Sequence, residues 1–268
     1  MIAYPHIDPE IVRIGPLALR WYGLMYLLGF GASYLLVGKR ISGSGGRVGG
    51  TAVPAEFLSS FYTWLILGLV IGARLGYVLF YDLMEYLRHP AEIFAVWHGG
   101  MSFHGGLIGA VAAGILCCRR FGVDPWRMAD LVTATAPIGL GLGRLGNFIN
   151  GELFGRVTDV PWAMVFPAGG PLPRHPSQLY EFLLEGVALF SLLWFLRDRM
   201  GRPGRSTALF LVLYGSFRIF VEFFRQPDPQ LGFIAGPFTM GQLLSTAMIA
   251  AGVVLFVLRR NRRANRPV

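Results

Sequence analysis

Arg144, Asn147 and Asn150 lie in GLGLGRLGNFING, residues 139–151, a stretch that is otherwise apolar and heavy in glycine. A guanidinium in such surroundings needs a counter-charge, because an isolated buried cation is costly. No Asp or Glu stands three or four residues to either side of Arg144. Its partner is therefore expected from another helix or from a ligand. Guanidinium matches phosphate with two parallel hydrogen bonds, which makes an anionic headgroup a natural candidate. Helical spacing puts Arg144, Asn147 and Gly151 on one face, and likewise aligns Tyr214, Arg218, Glu222 and Arg225. Arg218 and Glu222 are one turn apart, so balancing Glu222 is by itself a structural reason for Arg218. His104 stands in WHGGMSFHGG, residues 97–106. A lone histidine among apolar residues is more often a satisfied packing group, but paired glycines flank this one. A neutral imidazole can serve there as a general base. His98 is explained by a place at the interface, and Arg74 and the pair Glu181/Glu185 read as supporting charges.

Other chemistries lack their residues. Gly141, Gly143 and Gly146 have G-x-G-x-x-G spacing, but no strand–turn–helix context makes them a dinucleotide fingerprint. There is no G-x-S-x-G, no H-E-x-x-H and no Cys/His cluster with zinc spacing, so no metal and no cofactor is expected. Cys117 and Cys118 are adjacent, which suggests neither a disulfide framework nor a metal site.

The elements that must position these groups follow from composition. Of the 268 residues 54% are hydrophobic and 15% charged, with a mean hydropathy of +0.52; globular domains carry about 25% charged residues. An all-α polytopic membrane protein is expected, residues 1–268 forming one integral-membrane domain. The segment MIAYPHIDPE lacks a basic region followed by an apolar run, so no cleaved signal peptide is expected. Seven runs approach the ~20 residues of a span: roughly 20–38, 57–81, 98–118, 128–150, 177–196, 206–225 and 238–258. The third and fourth are interrupted by polar residues, Gly or Pro137.

Alternate connections carry fifteen and four Lys and Arg. The richer set includes Lys39 and Arg40, Arg119 and Arg120, Arg197 and Arg199, and the tail 259–266; the poorer is Arg13, Arg88, Arg156 and Arg174. The richer set should face the cytoplasm, leaving the N-terminus outside and the C-terminus inside. This placing of charge, with the tail at anionic headgroups, disfavours nucleic acid as a partner despite the net charge of +9. Residues 151–176, rich in Pro and Gly, read as a small outer cap. Residues 1–19 read as a short amphipathic segment on the outer face, and ISGSGGRVGG at 41–50 as a flexible inner loop. With this orientation every ionisable group inside a span falls at the outer level, as a shared cavity opening outward would require.

Five segments resemble the bacterial prolipoprotein diacylglyceryl transferase family: WYGLMYLLGF (21–30), GGMSFHGGLIG (99–109), GRLGNFINGELFGR (143–156), RHPSQLYE (174–181) and YGSFRIFVEFFRQPD (214–228). The resemblance implies an enzyme of the bacterial inner membrane, acting on its periplasmic side. Its partners would be phosphatidylglycerol, membrane lipids and a prolipoprotein signal peptide, and a monomer is expected. It would move the diacylglyceryl group of the lipid onto the lipobox cysteine, forming a thioether and releasing glycerol phosphate. Functional positions carry over to Tyr22, Gly99, His104, Gly105, Arg144, Asn147, Glu152, Gly155, Tyr214, Arg218, Glu222 and Arg225. Arg144 and Arg218 would clamp the headgroup phosphate, and His104 would accept the thiol proton. Tyr22 would join them at the reacting headgroup, and Asn147, Tyr214, Gly99 and Gly105 would bind the lipid. Glu152, Gly155, Glu222 and Arg225 would support them. The connection 157–173 is shorter than in some members, which bears on the size of the cap. The other reading is an anionic-lipid transporter or flippase, but charges at one level only speak against transport.

Overall fold

Apolar runs fold as helices joined by short hairpins and turns in this computed structural model, which describes residues 2–5, 7–15, 17–227, 233–235 and 238–260. In chain order the elements are β1 (Glu10–Ile14), β2 (Leu17–Arg20), α1 (Trp21–Gly43), β3 (Arg47–Val48), β4 (Thr51–Ala52), α2 (Phe57–Phe80), α3 (Leu83–Arg88) and α4 (Phe103–Arg120). There follow α5 (Pro125–Thr133), α6 (Ala136–Ile149), α7 (Ser177–Glu181), a π-helical turn (Phe182–Ala188), α8 (Leu189–Leu196), α9 (Arg205–Glu222), β5 (Phe233–Ala235), β6 (Phe238–Thr239) and α10 (Met240–Arg260). The strands form three separate antiparallel pairs.

Among the described residues four helical stretches are long and apolar enough to cross a membrane: Trp21–Gly43, Phe57–Phe80, Ser177–Arg199 and Met240–Arg259. Large apolar side chains such as Leu27, Leu35, Leu67, Phe195 and Val254 point outward from them. In water such surface would cost roughly 25 cal/mol per Å²; in lipid it costs nothing. The other expected spans are shorter. At 18 residues each, α4 and α9 reach about 27 Å. The run 128–150 divides into α5 and α6, because Pro137 sits in the first turn of α6 and disfavours helix just before it. At the break Thr135 Oγ1 donates to the Val132 carbonyl and pairs with Ser33 Oγ at 2.7 Å.

Within residues 1–19, read as an amphipathic segment, β1 pairs with β2 as a hairpin in which Glu10 pairs with Arg13 at 2.5 Å. Two local expectations are corrected. The expected flexible loop at 41–50 holds the end of α1 and the β3–β4 pair. The helix of the expected third run starts at Phe103, not 98, where the Ser102 hydroxyl accepts from Gly105 N. Residues 151–176 hold no long element, as the Pro and Gly content implies, only a turn at Pro167–Gly169 and isolated strand pairings of Arg174 with Val157 and Met164. Most of the Arg-rich tail, 261–266, lies outside the described residues.

The chain divides into two units, Met1–Val37 with Ala129–Val268, and Gly38–Met128. In the smaller unit α2 and α4 pack through glycines: a methyl on Gly76 would lie 2.8 Å from the Cα of Gly105. Such small residues let helices approach closely in lipid, where burial of apolar surface drives little. In the larger unit Leu189 and Leu193 form a core with Ala134 against Leu209, Phe210 and Phe217 of α9. A second core joins Tyr4, Met164 and Phe166, tying the N-terminal residues to the cap.

Candidate functional site

Three guanidinium groups and three carboxylates of the larger unit form one buried network. Arg144 on α6 meets Glu181 on α7 at 3.4 Å and Glu185 in the π-turn at 3.2 Å. Arg218 on α9 reaches Glu181 at 2.7 Å and Glu222 at 2.8 Å. Arg225, just beyond α9, donates to Glu181 at 3.0 Å. Glu181 is thus shared by all three arginines. Glu181 and Glu185 are wholly buried, whereas Arg144 and Arg218 keep 18% and 14% of their side chains exposed. Two carboxylates one turn apart would repel if alone; the guanidiniums are what make their burial tolerable.

Glu222 is held from a second side. Thr239 Oγ1 donates to it at 2.8 Å, and the backbone of Gly241, at the start of α10, leaves room for the carboxylate. An anion at a helix N-terminus is favoured by the exposed N–H groups there. Tyr214 is stacked on Phe210 at 5.7 Å and packs against the core of Ala134, Leu189 and Leu193.

The end of α6 supplies neutral polar groups. Asn147 and Asn150 both donate to Glu152 Oε1, at 2.9 and 3.1 Å, which fixes the orientation of their amides. Gln178 Nε2 donates to the Glu152 carbonyl at 2.6 Å. The ring of Tyr22 lies on Gly146, and its hydroxyl pairs with that of Tyr26 at 3.1 Å. Gly155 pairs with Arg225 and donates to the His175 carbonyl at 2.8 Å; a methyl there would lie 2.5 Å from the Phe224 carbonyl oxygen. Arg156 N donates to that same carbonyl at 2.8 Å. The cap is thereby tied to the end of α9, beside Arg225.

In the smaller unit His104 occupies the first turn of α4, exposed, with its ring edge-on to Phe103. Gly99 has φ +86 and its carbonyl accepts from Arg74 at 2.6 Å. Arg74 also donates to the carbonyls of Glu92, Ile93, Ala95 and Gly100, so it organises the turns that lead into α4. That agrees with its reading as a supporting charge. Cys117 and Cys118 are buried free thiols, and the side chain of His98 lies outside what is described.

Two face assignments change. Gly151 is not on the helical face of Arg144, because α6 stops at Ile149 and Gly151 has φ +68. Arg225 is not on the α9 stripe, because α9 stops at Glu222; it turns back to Glu181 instead. The expectation that Arg144 takes a partner from another helix holds, and that partner is the Glu181/Glu185 pair. Sequence reasoning read these two glutamates as supporting charges and did not join them to Arg144. The signal was present: two acids at i and i+4 within an apolar run. Thr239 and Gln178 carried no such signal.

Among the described residues no cluster of His, Cys, Asp and Glu could hold a metal ion. A cavity of about 400 Å³ opens beside the end of α6, lined by Tyr4, Asp8, Ile149, Asn150 and Pro167 and by no arginine.

Residues 9–258 match the family model described as prolipoprotein diacylglyceryl transferase. Among curated proteins the chain is similar to the phosphatidylglycerol--prolipoprotein diacylglyceryl transferase of Desulfotalea psychrophila, 54% identical over 97% of this chain and 96% of the relative. The protein of that name from Geobacter sulfurreducens is 52% identical, covering 97% and 98%. That of Pseudomonas aeruginosa is 53% identical, covering 100% and 99%.

Proposed function

The chain belongs to the prolipoprotein diacylglyceryl transferase family, and from that premise we propose a transfer of the diacylglyceryl group from phosphatidylglycerol to the lipobox cysteine of prolipoproteins. The product is a thioether, and glycerol phosphate is released. The observation that carries this reading at the level of atoms is Arg144. Its Nε and Nη2 are held by carboxylates, whereas Nη1 has no hydrogen-bond partner among the described residues. A buried network that is neutral within itself, with one guanidinium edge left open, suits an anionic phosphodiester.

In this reading the substrate thiolate attacks the glyceryl carbon that bears the phosphate ester. The S–C bond forms, the C–O bond breaks, and the electron pair leaves on the phosphate oxygen. Arg144 and Arg218 hold the phosphodiester and stabilise the charge that grows on the leaving group. Asn147, Tyr22 and Tyr214 hydrogen-bond the headgroup and Gly99 offers it close backbone approach, while Gly105, packed against Gly72 and Gly76 of α2, lets α4 sit close to that helix. His104 accepts the thiol proton; a free thiol has a pKa of about 8.5, which nearby cations lower. Glu152, Gly155, Glu222 and Arg225 keep these groups in place. Cys117 and Cys118 sit at the end of α4 beside Arg119 and Arg120, the expected cytoplasmic end, so the nucleophile comes from the substrate.

Seven spans are part of the same reading: α1, α2, α4, the broken α5–α6, the stretch from α7 through α8, α9 and α10. The charge count supports an outer N-terminus and chemistry on the periplasmic side of the inner membrane, by a monomer. The test is incubation of a lipobox peptide with phosphatidylglycerol and the purified protein alone, read by mass spectrometry. A peptide heavier by one diacylglyceryl group is expected. An unmodified peptide would return the protein to the lipid-transporter reading.

A further inference from the structure

Glu185 commits itself to Arg144 through a single oxygen. Its Oε2 accepts from Nε at 3.3 Å and from Nη2 at 3.2 Å, while the buried Oε1 has no hydrogen-bond partner among the described residues. Leaving a buried carboxylate oxygen unmatched is costly, so this arrangement is not the cheapest way to neutralise an arginine. Two backbone features impose it. First, α6 meets the π-turn where glycine faces glycine: a methyl on Gly186 would lie 2.8 Å from the Cα of Gly141. Arg144 is three residues beyond Gly141, and Glu185 immediately precedes Gly186, so this close approach sets guanidinium against carboxylate. Second, Phe182–Ala188 is wound as a π-helix, a rare form that gathers at functional sites.

We propose that Glu185 is a positioning residue for the transfer reaction, gripping the Nε–Nη2 edge of Arg144 so that Nη1 is presented to the lipid phosphodiester. The proposal rests on the reading of Arg144 as the headgroup ligand. It separates from simple charge neutralisation through kinetics. Removing the charge of Glu185 leaves the network with excess positive charge, which attracts an anion at least as well, so KM for phosphatidylglycerol does not rise. What is lost is orientation, and misplacement of about 1 Å costs on the order of 100-fold in rate. A residue that only balanced charge would change the melting temperature and leave kcat per folded molecule untouched.

The experiment compares purified Glu185→Gln and Gly186→Ala with the unmodified protein, in detergent micelles with phosphatidylglycerol and a lipobox peptide, recording kcat, KM for the lipid and melting temperature. In Gly186→Ala the carboxylate is retained but α6 must shift away from it. Both variants are expected to lose about 10- to 100-fold in kcat with KM for the lipid unchanged or lower. Unchanged kcat in Glu185→Gln, or a loss confined to KM or to melting temperature, overturns the proposal. Should Glu185→Gln fail to fold, Gly186→Ala decides by the same readout. Arg144→Ala guards the underlying reading. If it turns over like the unmodified protein, the headgroup assignment itself fails; if it is impaired while Glu185→Gln is not, only the role of Glu185 fails.

Discussion

At the scale of residues, Arg144 shows why charge alone does not describe this site. Its planar group spends one edge on Glu181 and Glu185 and keeps Nη1 open. A lysine ammonium is a point charge on a flexible stem and cannot do both. Arg144→Lys is therefore expected to lose about 100-fold or more in thioether formation, measured by the peptide mass assay, although net charge is retained. Normal turnover in that variant would show that the planar group is dispensable. Arg218 differs, because both of its Nη atoms already face carboxylates. The one-turn pairing with Glu222 expected from spacing is present, but Arg218 also reaches Glu181. Balancing Glu222 is therefore only half of its role.

At the scale of elements, the segment 151–176 owes its order to pairing with other parts of the chain. Gly155 lies so near the Phe224 carbonyl and the His175 backbone that a side chain cannot be added without moving one of them. Gly155→Ala should cost about 1–3 kcal/mol, seen as a lower melting temperature, and should disturb Arg225 with it. His175, half-buried against Phe224, pairs through Nδ1 with the Tyr180 hydroxyl, and burial pushes its pKa below the usual imidazole value. The unfolded segment then binds more protons than the folded one below about pH 6.5. Its stability should fall as pH drops through that value, and hydrogen exchange over 151–176 should quicken at pH 5.5 relative to 7.5. Replacing His175 with Gln should remove that difference; an equal pH response in the variant would place the cause elsewhere.

For the molecule as a whole, orientation rests on the placing of Lys and Arg, and accessibility can test it. With Cys117 and Cys118 replaced by Ser, Ser42→Cys should react with a membrane-impermeant thiol reagent only from the cytoplasmic side, and Asp159→Cys only from the periplasmic side. Both positions are exposed. Labelling of Ser42→Cys from outside would invert the proposed topology and, with it, the side on which the lipobox cysteine is met.

Several properties follow from sequence alone because they depend on residues near one another in the chain. Apolar runs read as helices from composition, and the interruption at Pro137 reads from the ring's effect on its own backbone and the residue before it. Arg218 and Glu222 pair because 3.6 residues make a turn. The need of Arg144 for a distant partner also followed, since no local carboxylate exists. Its identity did not: Glu181 and Glu185 lie 37 and 41 positions away, and only the packing of Gly141 on Gly186 brings them to it. Nor could helical spacing foresee that α9 ends at Glu222 and that Arg225 turns back to Glu181. Spacing reports which face a side chain shares while the helix lasts. Where the helix stops, and which charges then meet, is decided by contacts that form only when the chain is folded.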